Sequence, residues 1–150
     1  MYLVCCMAAA AIFAGCGPEK SIALYNAGID AAGREDYEEA ARLFSLSVQR
    51  RSNDPDTRYN LGLALFTLKR FGEAEVQLRE AALLDPMDSD AQELLGRSLE
   101  RQGKLPEAKS AYRAALNIKP THVPALLGLA SIALAVGLYL TVVLGFRAAG

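Results

Sequence analysis

A spacing of 34 residues repeats through the middle of this chain. Three glycines and three alanines keep that spacing, namely Gly28, Gly62 and Gly96, and Ala40, Ala74 and Ala108. A fixed period of this length, held at several positions at once, is the sequence signature of a repeat architecture. The chain is therefore expected to fold as a stack of similar units.

Each unit contains two apolar runs with helical spacing. In the second unit, Leu61 and Leu65 lie four residues apart, and another run begins at Phe71. Apolar residues at such intervals predict amphipathic helices. In the first unit, the same pattern places helix A at about residues 21–32 and helix B at about residues 37–51. One such hairpin cannot bury its apolar face alone, whereas three stacked hairpins can.

Residues that favour helix ends separate the apolar runs. Asp36 and Glu39 stand three apart and can form a capping box at the start of a helix. Pro106 suits a first helical turn, where the missing amide costs no hydrogen bond. Pro55 and Pro86 cannot continue a helix. We therefore expect these two prolines to divide one unit from the next.

Further positions repeat in the second and third units. They are Leu61, Gly62, Ala74, Ala81, Asp85 and Pro86 in the second, and Leu95, Gly96, Ala108, Tyr112, Ala115 and Pro120 in the third. An early Leu-Gly, a small residue in mid-unit and a closing proline at this period resemble the tetratricopeptide repeat. The resemblance covers about residues 21–122 as three units, 21–54, 55–88 and 89–122. It implies an all-α fold, a right-handed superhelical array of three helix hairpins. A long apolar helix, considered below, is expected to follow this array.

In this family the inner helices line a concave groove that can hold an extended or helical peptide. The resemblance places these residues in the groove: Ile22, Tyr25, Ile29, Ala32, Asp56, Tyr59, Leu63, Phe66, Thr67, Asp90, Glu93, Arg97, Glu100 and Arg101. Asn26 and Asn60 neighbour it and are candidates to hydrogen-bond a peptide backbone. The groove would be apolar and aromatic over two units and charged over the third. The alternative is that the tyrosines and asparagines are consensus residues kept for packing.

One subset of the family binds the C-termini of chaperones through lysines and an arginine at set groove positions. Here those positions hold Tyr25, Asp90 and Leu94, and only Asn60 matches the pattern. The resemblance therefore argues against binding of a chaperone tail.

The N-terminal residues form an apolar run that ends in small residues. This run is too short to span a bilayer but is typical of a signal-peptide core. The stretch Phe13-Ala14-Gly15-Cys16 resembles the lipobox of bacterial lipoproteins, in which cleavage precedes the cysteine and its thiol carries diacylglycerol. The resemblance implies a signal peptide at residues 1–15 and lipidation of Cys16. The alternatives are an ordinary cleaved signal and an uncleaved hydrophobic tail.

Near the C-terminus, an uncharged apolar run extends from Ala125 to Phe146. A helix of that length is roughly 33 Å long, about the thickness of the hydrocarbon core of a bilayer. It is apolar all round, whereas the last helix of a soluble repeat array needs a polar outer face. The sequence therefore predicts a transmembrane helix at about residues 124–147.

A capping helix is the alternative for this last run. Leu126, Leu129 and Ala130 fall on the repeat positions of a fourth unit. Both interpretations hold if the first turn or two pack on helix B of the third unit before the helix enters lipid.

Charge and composition argue against other classes of function. The formal net charge is −1, and the longest basic block is the pair Arg50-Arg51, so no nucleic-acid partner is expected. His122, the only histidine, is interpreted as a solvated loop residue, and Glu38 with Glu39 as a solvated helix start. No nucleophile has a base at motif spacing, and no zinc spacing or phosphate-binding loop is present. We predict no catalytic residue, metal, cofactor or small-molecule substrate.

The leading hypothesis is a membrane-anchored, non-enzymatic interaction module of a bacterial envelope. Its repeats would be periplasmic or otherwise extracytoplasmic, its partners envelope proteins, and its lipid contacts Cys16 and the run from Ala125 to Phe146. One alternative is a structural subunit that supports a larger membrane complex through its span. Another is a eukaryotic tail-anchored adaptor, against which the lipobox-like Cys16 and a tail without a basic cluster both argue.

Overall fold

A computed structural model describes residues 18–51 and 53–148, with side chains as far as Leu138. The predicted signal peptide, residues 1–15, and the predicted lipidation site, Cys16, lie outside the described residues. Within the described part, the chain forms seven helices and no strand. They are α1 (Pro18–Gly33), α2 (Tyr37–Arg50), α3 (Pro55–Thr67), α4 (Phe71–Leu84), α5 (Ser89–Arg101), α6 (Leu105–Ile118) and α7 (Val123–Ala148).

The first six helices form three hairpins, α1 with α2, α3 with α4 and α5 with α6, and each hairpin packs on the next. The predicted all-α array of helix hairpins is therefore confirmed. Helix α1 begins at Pro18, three residues before the expected start. Proline is well tolerated there because the first helical residues have no amide partner within the helix.

Each hairpin closes with the same turn. Glu35, Lys69 and Gly103, which are 34 residues apart, all have positive φ, at 62°, 61° and 76°. In the first turn, the Glu35 amide donates to Ala32 O and the Asp36 amide donates to Ala31 O, at 2.9 and 3.0 Å. This pair of bonds is a Schellman motif, which satisfies the last carbonyls of a helix. In two of the three turns, a residue other than glycine adopts the positive φ.

The helix starts follow the sequence in part. The Asp36 carboxylate accepts from the Glu39 amide at 3.1 Å, as a capping box requires. The second hydrogen bond of a capping box, from the Asp36 amide to the Glu39 carboxylate, is not formed. The Asp36 amide donates to Ala31 O, and the Glu39 carboxylate binds the guanidinium of Arg42 at 2.7 Å. Pro55 begins α3, and Pro106 is the second residue of α6, in agreement with the expectation for both prolines.

A glycine of the first helix and a large side chain of the second hold each hairpin together. The pairs are Gly28 with Phe44, Gly62 with Leu78 and Gly96 with Tyr112, each sixteen residues apart. A Cβ atom on these glycines would lie 2.6, 2.7 and 2.7 Å from the facing side chain. The three large side chains are at most 1% exposed. The same close helix crossing is therefore present in all three hairpins.

Helix α7 packs on the third hairpin through one face. Ala125, Gly128 and Ile132 are buried on that face. A Cβ on Gly128 would lie 2.3 Å from the ring of Tyr112, which is thus enclosed between Gly96 and Gly128. The expectation that the first turns of this helix pack on helix B of the third unit is confirmed.

The rest of α7 is exposed over the described side chains. Leu126 is 47% exposed and Ala130 is also exposed, while Leu129 packs against the core. The first two stand at repeat positions of a fourth unit, and the described residues contain no helix B of such a unit. Among the residues described, none of the helices combines the length and hydropathy that a membrane span requires. The predicted transmembrane helix is therefore not shown.

Substitution of Gly28 tests the close helix crossing. Gly28→Ala should lower the free energy of unfolding by roughly 1–3 kcal/mol, because the new methyl group overlaps the buried ring of Phe44. The matched control is Gly33→Ala in the same helix, where an added Cβ has no neighbour within 4 Å. Alanine favours helix over glycine, so the control should be neutral or slightly stabilising. Equal urea midpoints for the two variants would contradict the assignment.

Candidate functional site

The predicted groove residues lie on helices α1, α3 and α5, and contacts between them cross from hairpin to hairpin. Asn60 Nδ2 donates to the hydroxyl of Tyr25 at 3.3 Å, which joins the first and second hairpins. The guanidinium of Arg97 lies 4.7 Å from the ring centroid of Phe66, which joins the second and third. The residues therefore share one continuous surface, called the inner face below.

The first half of the inner face is apolar. Ile22, Ile29 and Leu63 are 50%, 41% and 38% exposed. Single exposed apolar residues are common. Here Ile29 and Leu63 stand at equivalent repeat positions on neighbouring helices, and Ile22 lies two turns before Ile29 on α1, so the three form a patch. Covering this patch with a partner is favourable, because apolar surface is then removed from water.

Tyr25 and Asn60 are largely engaged within the protein. The ring of Tyr25 packs 5.8 Å from that of Phe44, and burial, followed by the charge of Asp56, raises the pKa of the Tyr25 phenol. The Asn60 side chain also donates to Asp56 O of its own helix at 2.8 Å. These contacts favour a packing role for the pair. Asn26, on α1, is exposed.

The second half of the inner face combines arginines with aromatic rings. Phe66 meets Phe71 edge to face, with ring centroids 5.3 Å apart. Arg97 stacks on Phe66, and Arg101 lies 5.5 Å from the centroid of Phe71, in cation–π contacts. A cleft of about 280 Å³ lies here, lined by Phe66, Arg97, Glu100 and Arg101. Each guanidinium thus covers one face of the aromatic cluster and stays partly exposed to solvent.

Glu93, one of the predicted groove residues, is buried. It is only 6% exposed, and its Oε1 has no hydrogen-bond partner among the described residues. Arg97 Nε lies 3.7 Å from that oxygen, beyond hydrogen-bond distance. Burial raises the pKa of the Glu93 carboxyl, against the opposing charge of Arg97. Burial also raises the pKa of the neighbouring Tyr59 phenol, to which Asp90 contributes further.

His122 is not the solvated loop residue that the sequence analysis predicts. It is 4% exposed, and its Nε2 lies 2.8 Å from Asp90 Oδ1. Its Nδ1 accepts from the amide of Ala125 at 3.3 Å, at the first turn of α7. The prediction is wrong because the docking of α7 encloses the loop, and the free helix amide gives the imidazole a buried partner. A polar residue just before the helix start at Val123 is the signal that could have indicated a cap.

The opposite face carries a larger cleft whose charges are paired. Its volume is about 770 Å³, and it lies between α2 and α4. Arg42 binds Glu39, and Arg70 binds Glu73, each at 2.7 Å. Arg42 lowers the pKa of Glu39, chiefly through its hydrogen bonds. With its charges neutralised at the rim, this cleft is a weaker candidate for recognition than the inner face.

The described residues hold no group of three histidine, cysteine, aspartate or glutamate side chains arranged for a metal ion. Asp90 and His122 form a pair only. The predictions of no catalytic residue and no cofactor stay predictions.

Comparison with known proteins agrees with the helix arrangement. The family model for the tetratricopeptide repeat matches residues 25–89, 59–123 and 94–139. The chain belongs to the tetratricopeptide repeat family. These matches overlap, as expected for a model that spans about two units of a repeating chain.

Individual relatives share the repeats only. Protein NPGR2 of Arabidopsis thaliana is 36% identical over 81 residues, 54% of this chain and 11% of that protein. The peroxisomal targeting signal receptor of Eremothecium gossypii is 33% identical over 86 residues, 57% of this chain and 15% of the receptor. This tetratricopeptide repeat chain therefore spans less than a fifth of the length of these relatives.

Among solved structures, the first tetratricopeptide repeat domain of Spaghetti (RPAP3), bound to the HSP90 peptide SRMEEVD, is similar to this chain. The TM-score is 0.77 at 26% sequence identity, over 81% of this chain and 96% of that domain. The similarity therefore covers nearly the whole of that domain, a fold seen there with a peptide bound.

The buried Glu93 should make the folded chain less stable at neutral pH. Because its folded-state pKa is raised, the charged form disfavours folding above that pKa, and this penalty disappears as the pH falls through it. Glu93→Gln should therefore raise the thermal midpoint by roughly 2–5 °C at pH 7. The exposed Glu80→Gln on α4 is the control. A gain that stayed the same at pH 4, or no gain at pH 7, would contradict the assignment.

Proposed function

We propose that this chain is a non-enzymatic protein-interaction module that binds a segment of a partner protein along its inner face. The observation that carries the proposal is the apolar patch of Ile22, Ile29 and Leu63, exposed on neighbouring helices. A partner segment that crosses α1 and α3 would remove this surface from water. The peptide held by the domain of Spaghetti supports the same use of the fold.

The partner differs from the acidic peptide of that complex. In this chain, the positions that hold lysine and arginine in chaperone-binding relatives carry the exposed acid Asp90 and the buried Leu94, which is 2% exposed. An acidic tail would therefore meet a carboxylate and an apolar side chain instead of cations. The proposed partner is a segment with apolar side chains.

Photo-crosslinking tests the location of binding. A photoreactive phenylalanine derivative replaces Leu63 on the inner face or, as a control, Leu83 on α4, which is 73% exposed. The proposal predicts a discrete crosslinked partner from Leu63 and none from Leu83. Crosslinks from Leu83 with none from Leu63 would reject the inner face as the binding surface.

We further propose that the module is anchored in a bacterial envelope, through lipid on Cys16 and through the run from Ala125 to Phe146, with its repeats extracytoplasmic. The lipobox-like sequence and the uncharged C-terminal run support this. The intact mass of protein extracted from its native membrane tests it. A mass of residues 16–150 plus diacylglycerol agrees with the proposal, whereas an unmodified full-length mass would leave only the C-terminal run as an anchor and favour a tail-anchored adaptor.

A second candidate function is a structural subunit of a larger membrane complex. The exposed apolar side chains of α7 favour it, since Leu127, Leu134 and Leu138 are 65%, 68% and 65% exposed. Purification in mild detergent distinguishes the two. A stoichiometric membrane partner that is retained when the inner face is mutated favours the structural subunit.

A further inference from the structure

Glu93 has a hydrogen-bonding capacity that the folded chain does not use. Its Oε1 is buried without a hydrogen-bond donor among the described residues. The guanidinium of Arg97 stacks on Phe66 and pairs with this oxygen only at 3.7 Å, beyond hydrogen-bond distance. A buried polar atom without a partner costs free energy, and a carboxylate costs more than a neutral group. A donor supplied from outside would recover that free energy.

The surroundings of Glu93 are predominantly acidic. Asp90 is exposed one turn earlier on α5, and the carboxylate of Asp88 caps that helix by accepting from the Asp90 and Ala91 amides at 2.9 and 3.1 Å. Asp88, Asp90 and Glu93 thus outnumber the cation of Arg97 in this part of the described surface. The local charge favours a cationic ligand.

His122 orients Asp90 at the edge of this cluster. Its Nδ1 accepts a hydrogen bond from the Ala125 amide, so Nε2 carries a proton and donates a hydrogen bond to Asp90 Oδ1. The Asp90 side chain is nevertheless 68% exposed. It therefore remains accessible to a ligand.

We propose that the inner face takes its partner segment through a lysine or arginine side chain, whose cationic group donates a hydrogen bond to Glu93 Oε1 between Tyr59 and Asp90. The inference rests on the proposed function, because it names the chemistry of the segment that the same surface binds. Arg97 is 48% exposed and can turn into solvent as the cation enters. Apolar side chains next to the cation would then cover Leu63 and Ile29.

Selection from random peptides tests the inference. Phage that display random twelve-residue peptides are selected on the full chain in lipid nanodiscs, in parallel with Glu93→Gln and with Glu80→Gln as a matched control. Wild type and the control should enrich peptides with lysine or arginine at one fixed position. For a synthetic enriched peptide, Glu93→Gln, or norleucine in place of its lysine, should each weaken binding about tenfold to a hundredfold. Together they should weaken it little further.

The outcomes separate this inference from the proposed function. The cation site is overturned if the enriched peptides lack a fixed basic position or bind Glu93→Gln unchanged. In that case the proposed function still stands if Ile29→Glu with Leu63→Glu abolishes their binding. Peptides that bind this double variant as well as the wild type overturn both. Circular dichroism of Glu93→Gln serves to show that its helix content is unchanged.

Discussion

Tyr112→Ala is expected to lower the free energy of unfolding by about 3–5 kcal/mol. Tyr112 is fully buried, and its ring fills the space between Gly96 of α5 and Gly128 of α7. Its removal leaves a cavity that two rigid helix crossings cannot close. Because a domain of this size has a total stability of about 5–15 kcal/mol, the variant should be partly unfolded at moderate temperature. Urea denaturation followed by circular dichroism measures the loss.

Tyr112→Phe separates the ring from its hydroxyl group. The hydroxyl donates to Glu100 Oε2 at 2.6 Å, and Glu100 also accepts from Ser131 of α7. The phenylalanine variant keeps the ring and should lose only about 1–3 kcal/mol, the range for a hydrogen bond to a charged group. If both variants lost the same amount, the ring would not be the element that joins the third hairpin to α7.

The double substitution Ile29→Glu with Leu63→Glu is expected to abolish partner capture. Both side chains are exposed on the inner face, so two charges there would have to be desolvated beneath the partner segment. The loss should exceed about a hundredfold in affinity, since each side chain contributes roughly 1.5–3 kcal/mol when buried. Because Leu63 is itself substituted, the photoreactive phenylalanine derivative is placed at Ile22, and the readout is the yield of the crosslinked partner.

A charge added outside the inner face serves as the control for this double substitution. Leu83→Glu on α4 adds a charge at a site that is 73% exposed and lies away from the inner face. It should leave both helix content and capture unchanged. We avoid Phe66→Glu because Phe66 packs on Phe71 and carries Arg97, so its loss would also disturb the fold. Undiminished capture by the double variant, with normal helix content, would exclude the inner face.

Much of the fold can be predicted from the sequence because the residues that make each contact recur in three units. Gly28, Gly62 and Gly96 mark the close crossings, and Pro55 and Pro106 mark two of the helix starts. The left-handed turn residues are harder to find, since only Gly103 is a glycine. Glu35 and Lys69 adopt the same conformation because the Schellman hydrogen bonds outweigh the strain of positive φ.

The candidate site is less predictable, because it depends on contacts between units. The family positions identify the surface, yet they give no sign that Glu93 is buried or that Asn60 binds Tyr25 across two hairpins. His122 is misjudged for the same reason, since its burial results from the docking of α7. A single sequence reports the spacing within a unit more clearly than the packing of the third hairpin against α7.

The helices of the array have different numbers of packing partners, so their local stability should differ. Helix α1 packs mainly on α2, whereas α5 contacts α3, α4, α6 and α7. Opening α1 breaks one large interface, and opening α5 breaks four. Amide protons of α1 should therefore exchange with deuterium first, those of α2 and α3 next, and those of α5 only in events close to global unfolding. The end that holds the exposed Ile22 and Ile29 would be the part of the inner face that adapts most readily to a partner.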